Sequence, residues 1–168
     1  MEVLLRRPTA GDYAPIVTAA DDWWGRRVVP GVLSRLWFEH FTGTSWIAET
    51  PDRELAGVLV GFASPDHPAD LVIVAAAVHP ALRRRGVGRR LHEAAATDAR
   101  ERGATRLVEP AWPGDPVSIG FLRAIGFVPE DRPGTRRLYG VPAWPDQEFG
   151  REDRAIMICD LGAEPAVG

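Results

Sequence analysis

The chain has no lysine, only one cysteine and no apolar run long enough to cross a membrane. Each of these features excludes a type of reaction, cross-link or location. Because all 20 basic residues are arginine, no lysine amine can form a Schiff base with a substrate. Cys159 cannot form an internal disulfide, and its apolar surroundings predict a buried strand residue. Neither a signal peptide nor a membrane span is predicted, so we expect a cytoplasmic protein with no membrane partner.

The chain also lacks a strong excess of charge of either sign. Its net charge is −3, which argues against a general nucleic-acid binder. Five arginines lie between Arg83 and Arg90, but no longer basic stripe or set of stacking aromatic residues accompanies them, so no nucleic-acid partner is expected. A length of 168 residues predicts a single domain, spanning 1–168, that can bury a core.

The most informative segment joins an apolar strand to a helix through a turn rich in arginine and glycine. Residues 71–78 form a continuous apolar run, which predicts a strand covered on both faces. From Val87, apolar residues recur at helical spacing until Gly103 ends the pattern. Helix N-termini expose unpaired N–H groups, and glycine lets an anion approach them, so we predict a pyrophosphate site at 83–88. The alternative is a solvated, arginine-rich helix start.

Arg83, Gly86 and Gly88 fill the acetyl-CoA motif Q/R-x-x-G-x-G/A, and here the chain resembles the GNAT superfamily of N-acetyltransferases. Residues 115–127, D-P-V-S-I-G-F-L-R-A-I-G-F, are similar to the family's later helix, N-x-x-A-x-x-F-Y-x-x-x-G-F. The resemblance extends from about Val3 to Leu161.

Two further segments are similar to a bacterial subgroup of that family. Residues 21–26, D-D-W-W-G-R, resemble its D-W-W-G motif, and residues 38–49 resemble its strand of type T-S-F-I-A-E. The chain is therefore expected to belong to this subgroup.

The resemblance implies an α/β fold with a mixed, mostly antiparallel sheet, splayed fourth and fifth strands, and flanking helices. The residue patterns agree with this arrangement. Strands are predicted at 2–7, 44–49, 55–62, 71–78, 105–111 and 154–161. Helices are predicted from residue 9, at 30–41, from 87 and from 115. The composition of residues 50–53 predicts a hairpin turn. The many Pro, Gly and charged residues of 130–151 predict a loop-rich excursion.

By the same resemblance, acetyl-CoA is the acyl donor, no metal is needed, and the acceptor amine attacks the thioester directly. Main-chain groups of the fourth strand would bind the donor together with the turn and the later helix. The expected donor-binding residues are Ala76, Val78, Arg83, Arg84, Arg85, Gly86, Val87, Gly88, Arg89, Asp115, Ser118 and Phe121.

The acid and base of the reaction are harder to place. Leu122 stands where the family often has a tyrosine that protonates the departing thiolate, and the strand at 71–78 has no ionisable side chain. Glu49 and Glu109 are the candidate bases, although a carboxylate at a strand end can equally be solvated or paired with arginine. His79 at the start of the turn is a further titratable group with an ordinary structural alternative.

The acceptor is expected to be a small-molecule amine bound by Asp21, Asp22, Trp23 and Trp24. Carboxylates attract an ammonium group and indole faces can hold one, whereas tandem tryptophans can also serve only for packing. A homodimer is possible for this family. The competing function is a catalytically weak acyl-CoA-binding module that senses acyl-CoA or serves a partner protein.

Overall fold

The computed structural model describes residues 2–24, 33–148 and 152–162. Its strands form one nine-stranded sheet in the order β1-β2-β3-β4-β5-β9-β8-β7, with β6 paired to β9. The strands are β1 Leu4–Arg6, β2 Trp46–Glu49, β3 Leu55–Ala63, β4 Asp70–Val78, β5 Arg106–Ala111, β6 Val128–Pro129, β7 Arg136–Leu138, β8 Val141–Glu148 and β9 Glu152–Asp160. The helices are α1 Tyr13–Trp24, α2 Leu36–Glu39, α3 Val87–Glu101 and α4 Pro116–Ala124.

The sheet is antiparallel except where β4 pairs with β5 in parallel. This confirms the predicted mixed, mostly antiparallel sheet. The β2–β3 hairpin is also confirmed, with its turn closed by hydrogen bonds between the backbones of Thr50, Arg53 and Glu54.

Helices cover both faces of the sheet, and each face has its own apolar core. The core under α3 and α4 includes Leu71, Leu91 and Phe127, whereas the core under α1 and α2 includes Phe38 and Ile47. The buried side chains of α3 recur one turn apart, which explains why this segment is an amphipathic helix. Full burial of each large apolar side chain contributes roughly 1.5–3 kcal/mol.

The strand β4 contributes side chains to both cores, as its apolar run predicts. Ile73 packs under α3, but the next two residues, Val74 and Ala75, both pack under α1 and α2. A bulge causes this, because Val60 pairs with Ala75 and Gly61 with Ile73, leaving Val74 without a direct partner on β3.

The prediction of a loop-rich excursion at 130–151 is wrong for half of its length, and residues 149–151 lie outside the described residues. Two strands, β7 and β8, lie there and form a hairpin through Tyr139 and Gly140. Both turn residues have positive φ, 51° and 77°, as two-residue hairpin turns with the favoured twist require. The prolines of β8 hid the strand because proline removes a backbone donor.

Smaller corrections concern element ends. The helix predicted at 30–41 is the single turn α2 within the described residues, since 25–32 lie outside them. A 3-10 turn, Ala10–Asp12, precedes α1, and Cys159 is half-buried on β9 rather than fully buried. Across the described ranges, no helix is both long and apolar enough to span a bilayer.

Candidate functional site

A wedge-shaped gap opens between β4 and β5. Their parallel pairing covers only three positions, from Asp70 with Arg106 to Val72 with Val108. Both strands continue, fully described, without further pairing to each other, and β5 pairs along its length with β9 instead. The backbone of β4 beyond Val72 therefore has one side unpaired by a strand, which could accept an extended ligand.

The backbone groups that face this gap can be identified from the other side of β4. The N–H of His79 donates to the carbonyl of Ala56 on β3 (2.9 Å). Because N–H and C=O directions alternate along a strand, the main-chain groups of Ala76 and Val78 point away from β3, toward the gap. The Val78 carbonyl accepts a bond from Arg83 Nε at 3.3 Å, which agrees with this direction. Both residues are thus placed as a donor site would require.

The turn after β4 brings the first N–H groups of α3 to the surface. Gly86 is the N-cap of α3 and has φ +84°, in the left-handed region that favours glycine. Apart from its two chain neighbours, no atom of the described residues lies within 4 Å of the position that a Cβ on Gly86 would occupy, so the described part of the chain leaves this side of the turn open. Arg84 also has positive φ, 61°, and Arg84, Arg85 and Arg89 are exposed. The turn can receive an anion of phosphate size.

Arg83 makes contacts that the sequence did not predict. Besides the Val78 carbonyl, its guanidinium donates to the backbone carbonyl of Trp23 near the end of α1. Arg83 therefore links the turn to the helix on the opposite face of the sheet, and its predicted role toward acetyl-CoA stays a prediction.

The second motif forms α4, as predicted. Asp115 is its N-cap, accepting bonds from the N–H groups of Val117 and Ser118 at 3.0 and 3.1 Å. Phe121 packs against α3 so closely that a Cβ on Gly88 would lie 3.0 Å from its ring. Leu122, at the family's tyrosine position, is 2 % exposed and belongs to the core, so it presents no acid to the gap.

Glu109 is the first residue of β5 beyond the last pair with β4, and its carboxylate is bonded to a buried histidine. His92 Nε2 lies 2.8 Å from Glu109 Oε2, and His92 Nδ1 lies 2.8 Å from the Gly88 carbonyl. Burial alone would lower the pKa of His92, but the charge and hydrogen bond of Glu109 and the Gly88 carbonyl outweigh it and raise the pKa. The sequence analysis did not single out His92. The available signal was its position four residues after Gly88, which places both residues on the same face of the predicted helix.

Glu49 lies on β2 and is held by two arginines. Its carboxylate accepts from Arg6 at 2.7 Å and from Arg53 at 3.2 Å, and its side chain is 9 % exposed. Burial pushes the pKa of Glu49 upward, but the two arginines outweigh burial and lower it. A carboxylate with a lowered pKa is a weaker base. The assignment of Glu49 as the catalytic base therefore stays a proposal, and the alternative is that Glu49 only holds Arg6 and Arg53 in place.

We expect Glu49→Gln to destabilise the protein by roughly 1–3 kcal/mol at neutral pH, since hydrogen bonds to charged groups are lost. A carboxyl group whose pKa is lower in the folded state than in the unfolded state stabilises the protein at pH values above the unfolded-state pKa. This stabilisation is lost as pH falls through the folded-state pKa. The difference in unfolding free energy between wild type and variant should therefore shrink below about pH 4.5, the ordinary value. Urea unfolding at several pH values measures this, and a difference that stays constant into acid would contradict it.

The predicted acceptor residues lie at the end of α1, beside the turn. Trp23 is 6 % exposed and its ring packs edge-on against His79, with centroids 5.7 Å apart. Trp24 is half-buried and Asp22 is exposed. The side chain of Asp21, together with Gly25 and Arg26 of the motif, lies outside the described residues.

A groove of about 500 Å³ at the carboxyl end of β5 was not predicted. Its lining includes Trp112 and Tyr139, whose ring centroids are 6.1 Å apart, and the acidic residues Glu152 and Asp153. The exposed tryptophan directly after a predicted strand was the available signal. Arg137 also lines the groove, and Glu152 and Asp153 are paired with Arg154 at 2.6 Å and Arg136 at 3.9 Å, so arginines already balance the charge of both carboxylates.

Comparison with known proteins decides the family. The family model described as the acetyltransferase (GNAT) family matches residues 16–127. The chain belongs to this family. That membership confirms the predicted GNAT fold and the acetyltransferase class, while the D-W-W-G subgroup stays a prediction.

Among individual GNAT proteins, an L-2,4-diaminobutyric acid acetyltransferase from Nocardia farcinica (strain IFM 10152) is 28 % identical over 144 residues, covering 86 % of this chain and 74 % of that protein. Diaminobutyrate acetyltransferase EctA from Paenibacillus lautus, solved with L-2,4-diaminobutyric acid and coenzyme A, has a TM-score of 0.68 at 20 % identity, covering 98 % and 99 % of the two chains. Ard1 from Thermoplasma volcanium has a TM-score of 0.74 at 17 % identity, covering 97 % and 100 %. The structural likenesses establish the fold.

Proposed function

We propose that this protein transfers an acetyl group from acetyl-CoA to the amine of a small molecule. The observation that carries the proposal is the gap between β4 and β5, which opens beside the left-handed Gly86 turn at the start of α3. Phosphates would bind the N–H groups of the turn, and the pantetheine arm would pair with the main chain of Ala76 and Val78. These features support a donor site between the two strands.

The reaction needs no nucleophile from the protein. The unprotonated amine nitrogen forms a bond to the thioester carbonyl carbon, the carbon–sulfur bond breaks, the thiolate leaves, and the nitrogen loses a proton. Holding amine and thioester together is the main contribution, worth up to about 7–11 kcal/mol in ideal cases. Glu109, on β5 beside the gap, and Glu49, on β2, are both candidates to receive that proton, and each carboxylate already has a partner, His92 for Glu109 and two arginines for Glu49.

The acceptor amine is proposed to approach from the α1 face and to bind Asp21, Asp22, Trp23 and Trp24. The contacts of Trp23 with His79 and Arg83 support this location. Since the Nocardia farcinica relative is a diaminobutyric acid acetyltransferase, L-2,4-diaminobutyrate is the first amine to try. A homodimer in the cytoplasm remains part of the proposal.

Leu122 in place of tyrosine supports the second candidate, an acyl-CoA-binding module with weak catalysis. Lack of an acid costs about 10²–10⁴-fold in rate where acid assistance is needed. The two functions differ in one measurable respect: both bind acetyl-CoA, but only the enzyme releases CoA faster when an amine is added.

We expect acetyl-CoA at a hundred times its dissociation constant to stabilise the protein by about 2.7 kcal/mol. For a domain of this size the melting temperature should rise by several degrees. Thermal unfolding with acetyl-CoA, and with adenosine as the control, measures the shift. No rise with acetyl-CoA would remove both the enzyme and the sensor, whereas a rise justifies measuring CoA release with L-2,4-diaminobutyrate.

A further inference from the structure

His92 is buried at the centre of the proposed donor site, yet the acetyl transfer described above makes no use of it. Its side chain is 5 % exposed, and its ring is enclosed edge-on by Phe121 and Phe127 at centroid distances of 5.3 and 6.0 Å. A buried polar ring needs partners for both nitrogens, and here both have one.

The two partners belong to opposite sides of the gap. Nδ1 faces the carbonyl of Gly88, in the first turn of α3, where the phosphates would bind. Nε2 faces the carboxylate of Glu109, the first residue of β5 past its pairing with β4. One side chain therefore joins the helix start that follows β4 to the strand that diverges from it.

Both partner atoms are acceptors, and this determines where the protons lie. A carbonyl oxygen can only accept, so Nδ1 must carry a hydrogen, and an ionised carboxylate requires a second hydrogen on Nε2. A ring that donates to both of these acceptors is an imidazolium. If the ring lost a proton, one nitrogen lone pair would face an acceptor oxygen, and one of the two bonds would be lost.

We propose that His92 is a positioning residue for acetyl-CoA binding, which holds the first turn of α3 and the Glu109 carboxylate in place across the gap. This inference rests on the proposed function. In this proposal His92 does not contact acetyl-CoA. It affects binding only by holding Gly88 and Glu109 in place.

The surroundings of the ring make the effect pH-dependent. Within the described residues, Glu109 is the one titratable group bonded to the ring; α4 and the segment after it contribute the phenyl rings of Phe121 and Phe127, which do not titrate. Since the bonds to both acceptors exist only in the protonated state, acetyl-CoA affinity should decrease as pH rises through the raised pKa of His92.

The test uses isothermal titration of acetyl-CoA to the full chain at a series of pH values. We expect His92→Phe, which keeps the aromatic packing but loses both bonds, to raise the dissociation constant about tenfold near neutral pH, the equivalent of about 1.4 kcal/mol. His92→Gln can donate to one acceptor and should lose less. Neither variant should show the loss of affinity at high pH that we expect for wild type. Glu109→Gln should make that loss smaller and move it to lower pH, because a glutamine amide removes the charge and can donate to the unprotonated Nε2.

Asp98→Asn is the matched control because it weakens another buried ion pair on the same helix. Asp98 accepts from Arg7 at 2.6 and 2.8 Å and from Trp46 Nε1 at 2.7 Å, with no contact to the turn. It should lower the melting temperature and leave the acetyl-CoA affinity and its pH profile as in wild type.

The outcomes separate the two proposals. If wild type fails to bind acetyl-CoA, the proposed function fails and this inference falls with it. If wild type binds and His92→Gln has a parallel pH profile, or Asp98→Asn weakens binding as much as His92→Phe, the proposed function stands and the positioning role of His92 is overturned.

Discussion

Replacing Gly86 with valine is expected to weaken acetyl-CoA binding at least tenfold while the protein remains folded. Gly86 has φ +84°, and a β-branched residue avoids that region strongly. The left-handed conformation costs an ordinary L-residue roughly 1–2 kcal/mol, so the turn will relax toward another conformation. Because the N–H groups of α3 can bind one anion only while they converge, relaxation of their N-cap removes the site.

Gly103→Val is the control for this experiment. Gly103 lies just after the other end of α3 and has φ +77°. As for Gly86, no described residue beyond its chain neighbours has an atom within 4 Å of the position a Cβ would take. Both variants should therefore lose comparable stability from backbone strain alone. Titration of acetyl-CoA and thermal unfolding of the two variants separate strain from ligand binding. Equal affinity in folded Gly86→Val and Gly103→Val would show that the turn does not hold the phosphates.

The elements around the proposed donor site were predictable from sequence because their signals are local. Gly86, the helix after it and the N-cap Asp115 each depend on neighbours within a few residues, and the structure has both helices where the patterns placed them. The donor contacts proposed for Ala76 and Val78 stay a prediction; they depend on strand direction, and the hydrogen bond from His79 to Ala56 agrees with the direction that they need.

The features that were missed depend on residues far apart in the chain. His92 and Glu109 are 17 residues apart, and their bond requires knowledge that α3 packs on β5. The strands β7 and β8 were taken for a loop because Pro142 and Pro145 interrupt an otherwise readable strand, while the hairpin signal was only Tyr139 and Gly140. Leu122 was noticed as a departure, but only packing shows that its side chain lies in the core.

Gly61→Ala is expected to be the most damaging of the small substitutions in the sheet, lowering the unfolding free energy by about 3 kcal/mol. Its Cβ would lie 2.6 Å from the Val72 carbonyl oxygen, a backbone atom that cannot rotate away. The main chain of Gly61 cannot move easily either, since its N–H donates to Ser45 Oγ at 3.2 Å and its carbonyl accepts from Thr44 Oγ1 at 2.7 Å.

Gly120→Ala makes the same chemical change but should raise the unfolding free energy instead of lowering it. Gly120 lies within α4, and no atom lies within 4 Å of where its Cβ would be. Alanine there should stabilise by about 0.5–1 kcal/mol, because glycine is a poor helix former. Urea unfolding of both variants measures the two effects. If the urea midpoint of Gly61→Ala equals that of wild type, β3 and β4 must move apart at the bulge at little cost in free energy. In that case β3 would not hold β4 at a fixed distance from β5, and the gap between β4 and β5 would not have a fixed width.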